Sequence, residues 1–144
     1  MGSAEFKIPI GITCEEVFEV KLEHSAKNIG SGDVEVLATP SMIAFMENVA
    51  WKCVKKYLPK DYMTVGVNVE VKHLNPVPVG ANVLVKANLI AVKGRKLVFK
   101  VVVFWEDIKV GEGLHERYVV HRSRFLEKIM KILEYIESKN EGYE

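Results

Sequence analysis

The sequence predicts an α+β fold: an antiparallel sheet wrapped around one long apolar helix, with a further helix at the C-terminus. Three observations carry this. The stretch "ATPSMIAFMENVAWKCV" has helical composition and is apolar around most of its circumference, so it needs cover on most sides. From Thr64 onward come four β-rich runs, the last of them joined by short turns that suit hairpins. The tail "SRFLEKIMKILEYIESK" carries Phe125, Ile129, Ile132, Leu133 and Ile136 at helical spacing.

Taken in order, Val17 to Leu22 read as a first strand, part alternating and β-rich. "KNIGSGDVEV" is a Gly-rich loop without a regular period. Thr39 is a good N-cap and Pro40 suits the first helical position, so the central helix starts there and runs to about Tyr57, stopped by Pro59. Lys52, Lys55 and Lys56 favour its negative C-terminal end. "TVGVNVEVKHL" alternates strictly, with Val65, Val67, Val69 and Val71 on one face, and "NPVPVG" breaks it. "ANVLVKANLIAV" and "KLVFKVVVFWED" are strands around the turn "KGR", and "IKVGEGLHERYVVHR" is the last. A sheet of this kind keeps open edges, commonly covered by pairing between chains, so a homodimer or higher homo-oligomer is expected.

The chain has 144 residues, the size of one domain, and 49% of them are hydrophobic, enough for a real core. No internal repeat or linker divides it, so residues 1–144 read as a single domain, with "MGSAEF" set aside as resembling an expression-tag remnant. Twenty basic residues balance nineteen acidic ones without a basic run, which names no nucleic-acid partner. No signal peptide and no apolar run of roughly 20 residues is present, so no membrane partner is expected. Cys14 and Cys53 lack CxxC spacing and read as two thiols of a reduced, cytoplasmic protein without structural zinc.

Three residues are candidates for chemistry. On a helical wheel Ile43, Ala44, Ala50, Trp51 and Val54 lie within roughly 60° of Glu47, which puts a carboxyl on the apolar face. An unpaired buried carboxylate costs several kcal/mol or stays protonated, so it needs a partner or a use. His73 shares parity with Val65 to Val71 and stands at the end of its strand, where "NPVP" opens a loop. A histidine at the mouth of a core that also holds a glutamate is a candidate for proton transfer. Thr39 caps the central helix, and free N–H groups at a helix start suit a developing oxyanion. His115 and His121 read as ordinary strand residues, and Lys93, Arg95 and Lys96 as a solvated hairpin tip. No P-loop, GxSxG, GxGxxG or HExxH occurs, and Asp, His and Cys lack metal-ligand spacing, so no metal is expected.

The segments "LATPSMIAFMENVAWKCV", "TVGVNVEVKHLNPVPVGANVLVKANLIAVKGRKLVFKVVV" and "GEGLHERYVV" resemble, in that order, the fluoroacetyl-CoA thioesterase-like family of hotdog acyl-CoA thioesterases. The resemblance implies a hotdog fold, an acyl-CoA substrate and thioester hydrolysis, with no cofactor beyond the coenzyme A of the substrate. It implies Thr39, Glu47 and His73 as catalytic residues and Gly66 and Arg117 as substrate-binding ones. Glu47 is then general base for water or a nucleophile through an anhydride. Thr39 positions the reacting atoms or is itself acylated, and His73 relays protons or protonates the leaving thiolate. The fluoroacetyl-specific enzyme carries aromatic gating residues before its central helix, whereas "NIGSGDVEVLAT" has none. Its Gly30 and Gly32 are expected to leave the loop mobile. Rival expectations are a non-catalytic acyl-CoA-binding regulator, which lacks a helix-turn-helix here, and a dehydratase of the same fold. Thr39 and Glu47 stand about 12 Å apart along a helix axis, so either the substrate lies between them or two chains share the site.

Overall fold

The computed structural model describes residues 7–141, so the "MGSAEF" segment lies outside the described residues. Five antiparallel strands form one sheet in the order β1-β3-β4-β5-β2: β1 (Thr13–Glu19), β2 (Tyr62–His73), β3 (Asn82–Lys93), β4 (Lys96–Trp105) and β5 (Ile108–His121). The first strand overlaps the expected Val17–Leu22 but starts earlier, at Thr13, and ends at Glu19, because Thr13 to Glu19 pair with Asn88 to Asn82 of β3. Two-residue hairpins link β3 to β4 through Gly94-Arg95 and β4 to β5 through Glu106-Asp107. Both turns open on a positive φ, +63° at Gly94 and +55° at Glu106, as right-twisted hairpins require.

A short helix α1 (Ala26–Ile29) sits within the predicted loop, capped at its start by the Ser25 hydroxyl and at its end by left-handed Gly30. The backbone N–H groups of Gly30, Ser31 and Gly32 all donate to the Ala26 carbonyl, and those of Ala26 and Lys27 donate to Val36 and Val34. The loop is therefore pinned at both ends instead of hanging free on its two glycines.

The central helix α2 (Thr39–Lys55) buries Met42, Phe45, Met46, Val49, Ala50, Cys53 and Val54. These meet Val83, Val85, Ala87 and Leu89 of β3 and Leu97, Phe99, Val101 and Val103 of β4 in one core. Each such large side chain contributes roughly 1.5–3 kcal/mol by leaving water. The buried face is rotated from the one centred on Glu47: Ile43 and Trp51 are half-buried, Ala44 is exposed, and the Glu47 side chain keeps 41% of its surface. Gly111 of β5 lets the helix approach, since a Cβ there would lie 2.5 Å from the Met42 sulfur. Along α2, β1 is fixed by stacked Phe18 and Phe45 rings 4.5 Å apart, a Lys52–Glu16 pair at 3.1 Å and a Cys14–Cys53 disulfide. The two cysteines are therefore bonded, not free thiols, and the inference of a reduced compartment loses its premise. The C-terminal helix α3 (Arg122–Glu141) packs little of itself against the body and has no buried residue.

The disulfide closes a sequence separation of 39, for which chain entropy suggests about 4 kcal/mol and measured bridges give about 2–4. In a domain of this size about 3 kcal/mol moves Tm by roughly 10 °C. Melting with and without reductant should show that fall, and a Cys14→Ser/Cys53→Ser variant should melt at the lower temperature in both buffers. A parent Tm indifferent to reductant contradicts the bridge.

Candidate functional site

Helix α2 takes Ala38, not Thr39, as its N-cap, and no side chain caps its first turn. The Met42 N–H makes the first helical bond, to the Ala38 carbonyl. Thr39 and Ser41 thus present N–H groups ahead of the helical ladder, with Pro40 between them contributing none. Freed from capping, the exposed Thr39 hydroxyl meets the far end of β2: its Oγ1 lies 2.8 Å from His73 Nδ1. The imidazole is half-buried, and burial lowers its pKa below the ordinary histidine value, which favours the neutral ring. Its Nε2 is buried and has no hydrogen-bond partner among the described residues. An unmade hydrogen bond on a buried polar atom costs about 1–3 kcal/mol, the kind of debt that functional sites carry.

Around this pair opens a cleft of about 440 Å³ lined by Ala26, Ser31, Val36, Leu37, Ala38, Thr39, Pro40, His73, Leu74, Asn75 and Pro76. His73 is the sole aromatic ring among those residues, so the absence of an aromatic gate before α2 persists in three dimensions.

His73 reaches the helix side of the sheet by a route that strict alternation hides. The pairing of β2 with β5 shifts register between Gly66 and Asn68. Thr64 and Gly66 face inward before the shift and Val69, Val71 and His73 after it, opposite His115, Gly113 and Gly111. Val65 and Val67 do not share that face, and Val67 is 54% exposed. The bulged residue moves the parity by one, as such insertions do.

Glu47 stands apart from Thr39 and His73. Among the described residues its one ion pair is with Arg117, Oε2 to Nη1 at 3.8 Å. Gly66 lies directly beneath the carboxylate, where a Cβ would come within 2.6 Å of Oε2. Arg117 is buried, and burial lowers its pKa while the Glu47 charge works against that. Its Nε donates to Thr64 Oγ1 at 2.9 Å and its Nη2 to the Thr64 carbonyl at 3.1 Å. Its Nη1 lies 3.1 Å from His115 Nε2. His115 Nδ1 lies 2.9 Å from the Asn68 carbonyl, which can only accept, so Nδ1 carries the proton and Nε2 is free to accept from Arg117. Burial lowers the His115 pKa, in keeping with a neutral ring.

The sequence thus underestimated His115, read as an ordinary strand residue, and missed Thr64. The usable signal was parity: His115, Arg117 and Val119 alternate on one face of β5, which makes two polar residues inward-facing. Among the described residues no three His, Cys, Asp or Glu side chains gather into a metal-holding group, and no helix is long and apolar enough to cross a membrane.

A model of the fluoroacetyl-CoA-specific thioesterase family matches residues 18–123, from β1 to the start of α3. A fluoroacetyl-CoA thioesterase of Streptantibioticus cattleyicolor is 36% identical over 98 residues, 66% of this chain and 68% of that protein. The solved structure of the fluoroacetyl-CoA thioesterase FlK superposes with a TM-score of 0.81 at 27% identity, covering 87% of this chain and 97% of the other. A thioesterase superfamily member from Thermus thermophilus gives a TM-score of 0.85 at 24% identity over 92% and 98% of the two chains, a likeness of fold. The antiparallel sheet around α2 is accordingly a hotdog fold, and the chain belongs to the fluoroacetyl-CoA-specific thioesterase family, as an acyl-CoA thioester hydrolase.

Proposed function

We propose that the protein hydrolyses a short-chain acyl-CoA thioester to the free acid and coenzyme A, at a site shared between two copies, with Thr39, His73 and Glu47 as catalytic residues. The observation that carries this is the 2.8 Å contact between Thr39 and His73 at an uncapped helix start, inside a cleft. The thioester carbonyl sits against the Thr39 and Ser41 N–H groups, where the positive end of α2 stabilises negative charge growing on its oxygen. Glu47 takes a proton from the attacking water. The new C–O bond forms and the C–S bond breaks; the neutral His73 ring relays a proton to the departing thiolate, taking one up from solvent at Nε2 as it gives one from Nδ1 to Thr39, whose hydroxyl proton passes to the sulfur, while Glu47 releases to solvent the proton it took. Gly66 leaves room for the Glu47 carboxylate, and Arg117, held by Thr64 and His115, orients it instead of binding substrate directly. No metal or other cofactor takes part.

Two copies are invoked for three reasons. Within one chain Glu47 and Thr39 are separated by about 12 Å along the helix. Strand β2 pairs on one side only, with β5, and so ends the sheet with unpaired backbone groups. Beside it Ile43, Ala44 and Trp51 leave an apolar strip of α2 partly open. Pairing of two β2 edges closes both, and brings Glu47 of each copy toward the cleft of the other. Acyl-CoA carries several phosphate charges and does not cross membranes, so we place the protein in the cytoplasm, where such thioesters are made.

Glu47→Gln should lower hydrolysis by about 10²- to 10⁴-fold, the usual worth of a general base. Mixing that variant with Thr39→Val after dissociation and reassociation should restore about a quarter of parental activity, because half the dimers are hybrids with one intact site of two. No recovery on mixing, with hybrids formed, contradicts a shared site; an activity within about threefold of the parent for Glu47→Gln removes it as the base.

One fluorine changes size little, and even a whole methylene is worth only about 1–3 kcal/mol in an apolar pocket. With no added aromatic around the cleft, fluoroacetyl-CoA should be turned over no more than about tenfold better than acetyl-CoA in kcat/KM. Parallel measurements on the two thioesters decide it; a preference of about a thousandfold shows that other residues have rebuilt the discrimination.

A further inference from the structure

The Cys14–Cys53 disulfide is not sealed in the core. It ties the outermost strand of the sheet to the central helix: β1 pairs with β3 alone, and Cys14 on it is half-buried, whereas Cys53 is buried. A surface cavity of about 200 Å³ has both cysteines in its wall, together with exposed Glu15, Lys52 and Lys56 and half-buried Glu16. A space of that size admits the end of an extended small molecule and excludes a folded protein. The two carboxylates are matched by cations, Glu15 with Lys86 at 3.8 Å and Glu16 with Lys52 at 3.1 Å. Lys56 is left in excess, with no ion pair among the described residues, three positions after Cys53. An ammonium group near sulfur favours the thiolate, the form that attacks and the form that leaves in thiol–disulfide exchange.

We propose that Cys14 is a site of thiol–disulfide exchange with small aliphatic thiols, among them the coenzyme A that thioester hydrolysis releases. The incoming thiolate bonds to the Cys14 sulfur. The Cys14–Cys53 bond breaks, and its electron pair leaves on the Cys53 sulfur, which takes up a proton. A second thiolate then bonds to the sulfur of the first compound, which departs as a symmetric disulfide and frees Cys14. Two small thiols are oxidised and the bridge is reduced. Attack falls on Cys14 because access selects the sulfur, and Cys53 is closed off at 4% exposure. The strand does not leave with the bond. It keeps its ladder to β3, the Phe18–Phe45 stack at 4.5 Å and the Lys52–Glu16 pair, so the bridge opens in the folded chain. Thr39 stands at the other end of α2, about 21 Å away along its axis, so hydrolysis does not change. Disulfides in reducing compartments are usually transient or redox-sensing, and here the reaction itself feeds the thiol that opens the bond. The exchange site depends neither on the shared catalytic geometry nor on where the protein resides.

The test uses the oxidised full-length chain well below its melting temperature, with coenzyme A or glutathione as the probe, acid quenching and mass mapping of each cysteine. Both thiols should open the bridge at a rate proportional to thiol concentration. The trapped adduct should sit on Cys14 at least roughly tenfold more than on Cys53, since access decides which sulfur is attacked. Lys56→Glu should slow opening a few-fold at low salt and leave hydrolysis unchanged. Oxidised coenzyme A should label Cys14 in Cys53→Ser and leave Cys53 unlabelled in folded Cys14→Ser. An adduct on Cys53 of the parent overturns the proposal. So does a rate that levels off at the rate of global unfolding, which marks a bridge reached only in the unfolded chain. Opening by glutathione but not by coenzyme A also overturns it, because the product is then not a reagent for this site.

Discussion

Burial of α2 against the concave side of the sheet sets the position of every group at the site. Met42, Phe45, Met46, Val49 and Cys53 fix the rotation of the helix, and Gly111 fixes how closely it approaches β5. With rotation and depth determined, the first residue of the helix falls beside the last residue of β2. The Thr39–His73 contact is then a consequence of packing, made by two residues that no local structure brings together. The uncapped first turn follows from the same geometry, because the hydroxyl that would cap a helix one residue shorter is turned toward the imidazole instead.

A second set of polar groups lies beneath the same helix, and its satisfaction explains why a buried guanidinium is tolerated. Arg117 spends its donors on Thr64 and on His115, and His115 on Asn68, so the charge is hydrogen-bonded on several sides. The pair with Glu47 at 3.8 Å is loose, and Glu47 is too exposed for that contact to add much stability. The carboxylate lies over Gly66 and its side chain keeps 41% of its surface open to water. Removing the space at Gly66 displaces the carboxylate, since the atom in the way is Oε2 itself.

The sequence made the fold legible because the period changes cleanly from helical to alternating after Pro59, and because the turns at Gly94 and Asp107 are short. It offered Thr39, Glu47 and His73 as candidates through segments resembling a known family, and Glu47 and His73 also by their place on apolar patterns; the structure brings Thr39 and His73 into contact and leaves Glu47 beside Arg117. What it hid has particular causes. A run of valines at every second position conceals the bulge at Val67, since the unbroken alternation reads as one continuous face. An amphipathic wheel drawn on α2 places Glu47 on the apolar face, but in the protein that face is divided between the core and an open strip. The disulfide joins residues 39 apart in sequence, which only the alignment of β1 along α2 brings together. The hydrogen bonds that pin the Gly30–Gly32 loop depend on a one-turn helix too short to leave a period.

The proposed chemistry places the thioester carbonyl at the start of α2, between its free N–H groups and the Thr39–His73 pair. The most direct measurement is a crystal structure of the full chain with an acyl-CoA analogue whose sulfur is replaced by CH₂, leaving a ketone that cannot be hydrolysed. The carbonyl oxygen should lie about 2.7–3.2 Å from the backbone nitrogen of Thr39 or Ser41, with a Glu47 carboxylate on the open face of the carbonyl carbon. A ketone bound away from the helix start, with Thr39 and His73 touching none of its atoms, contradicts that placement.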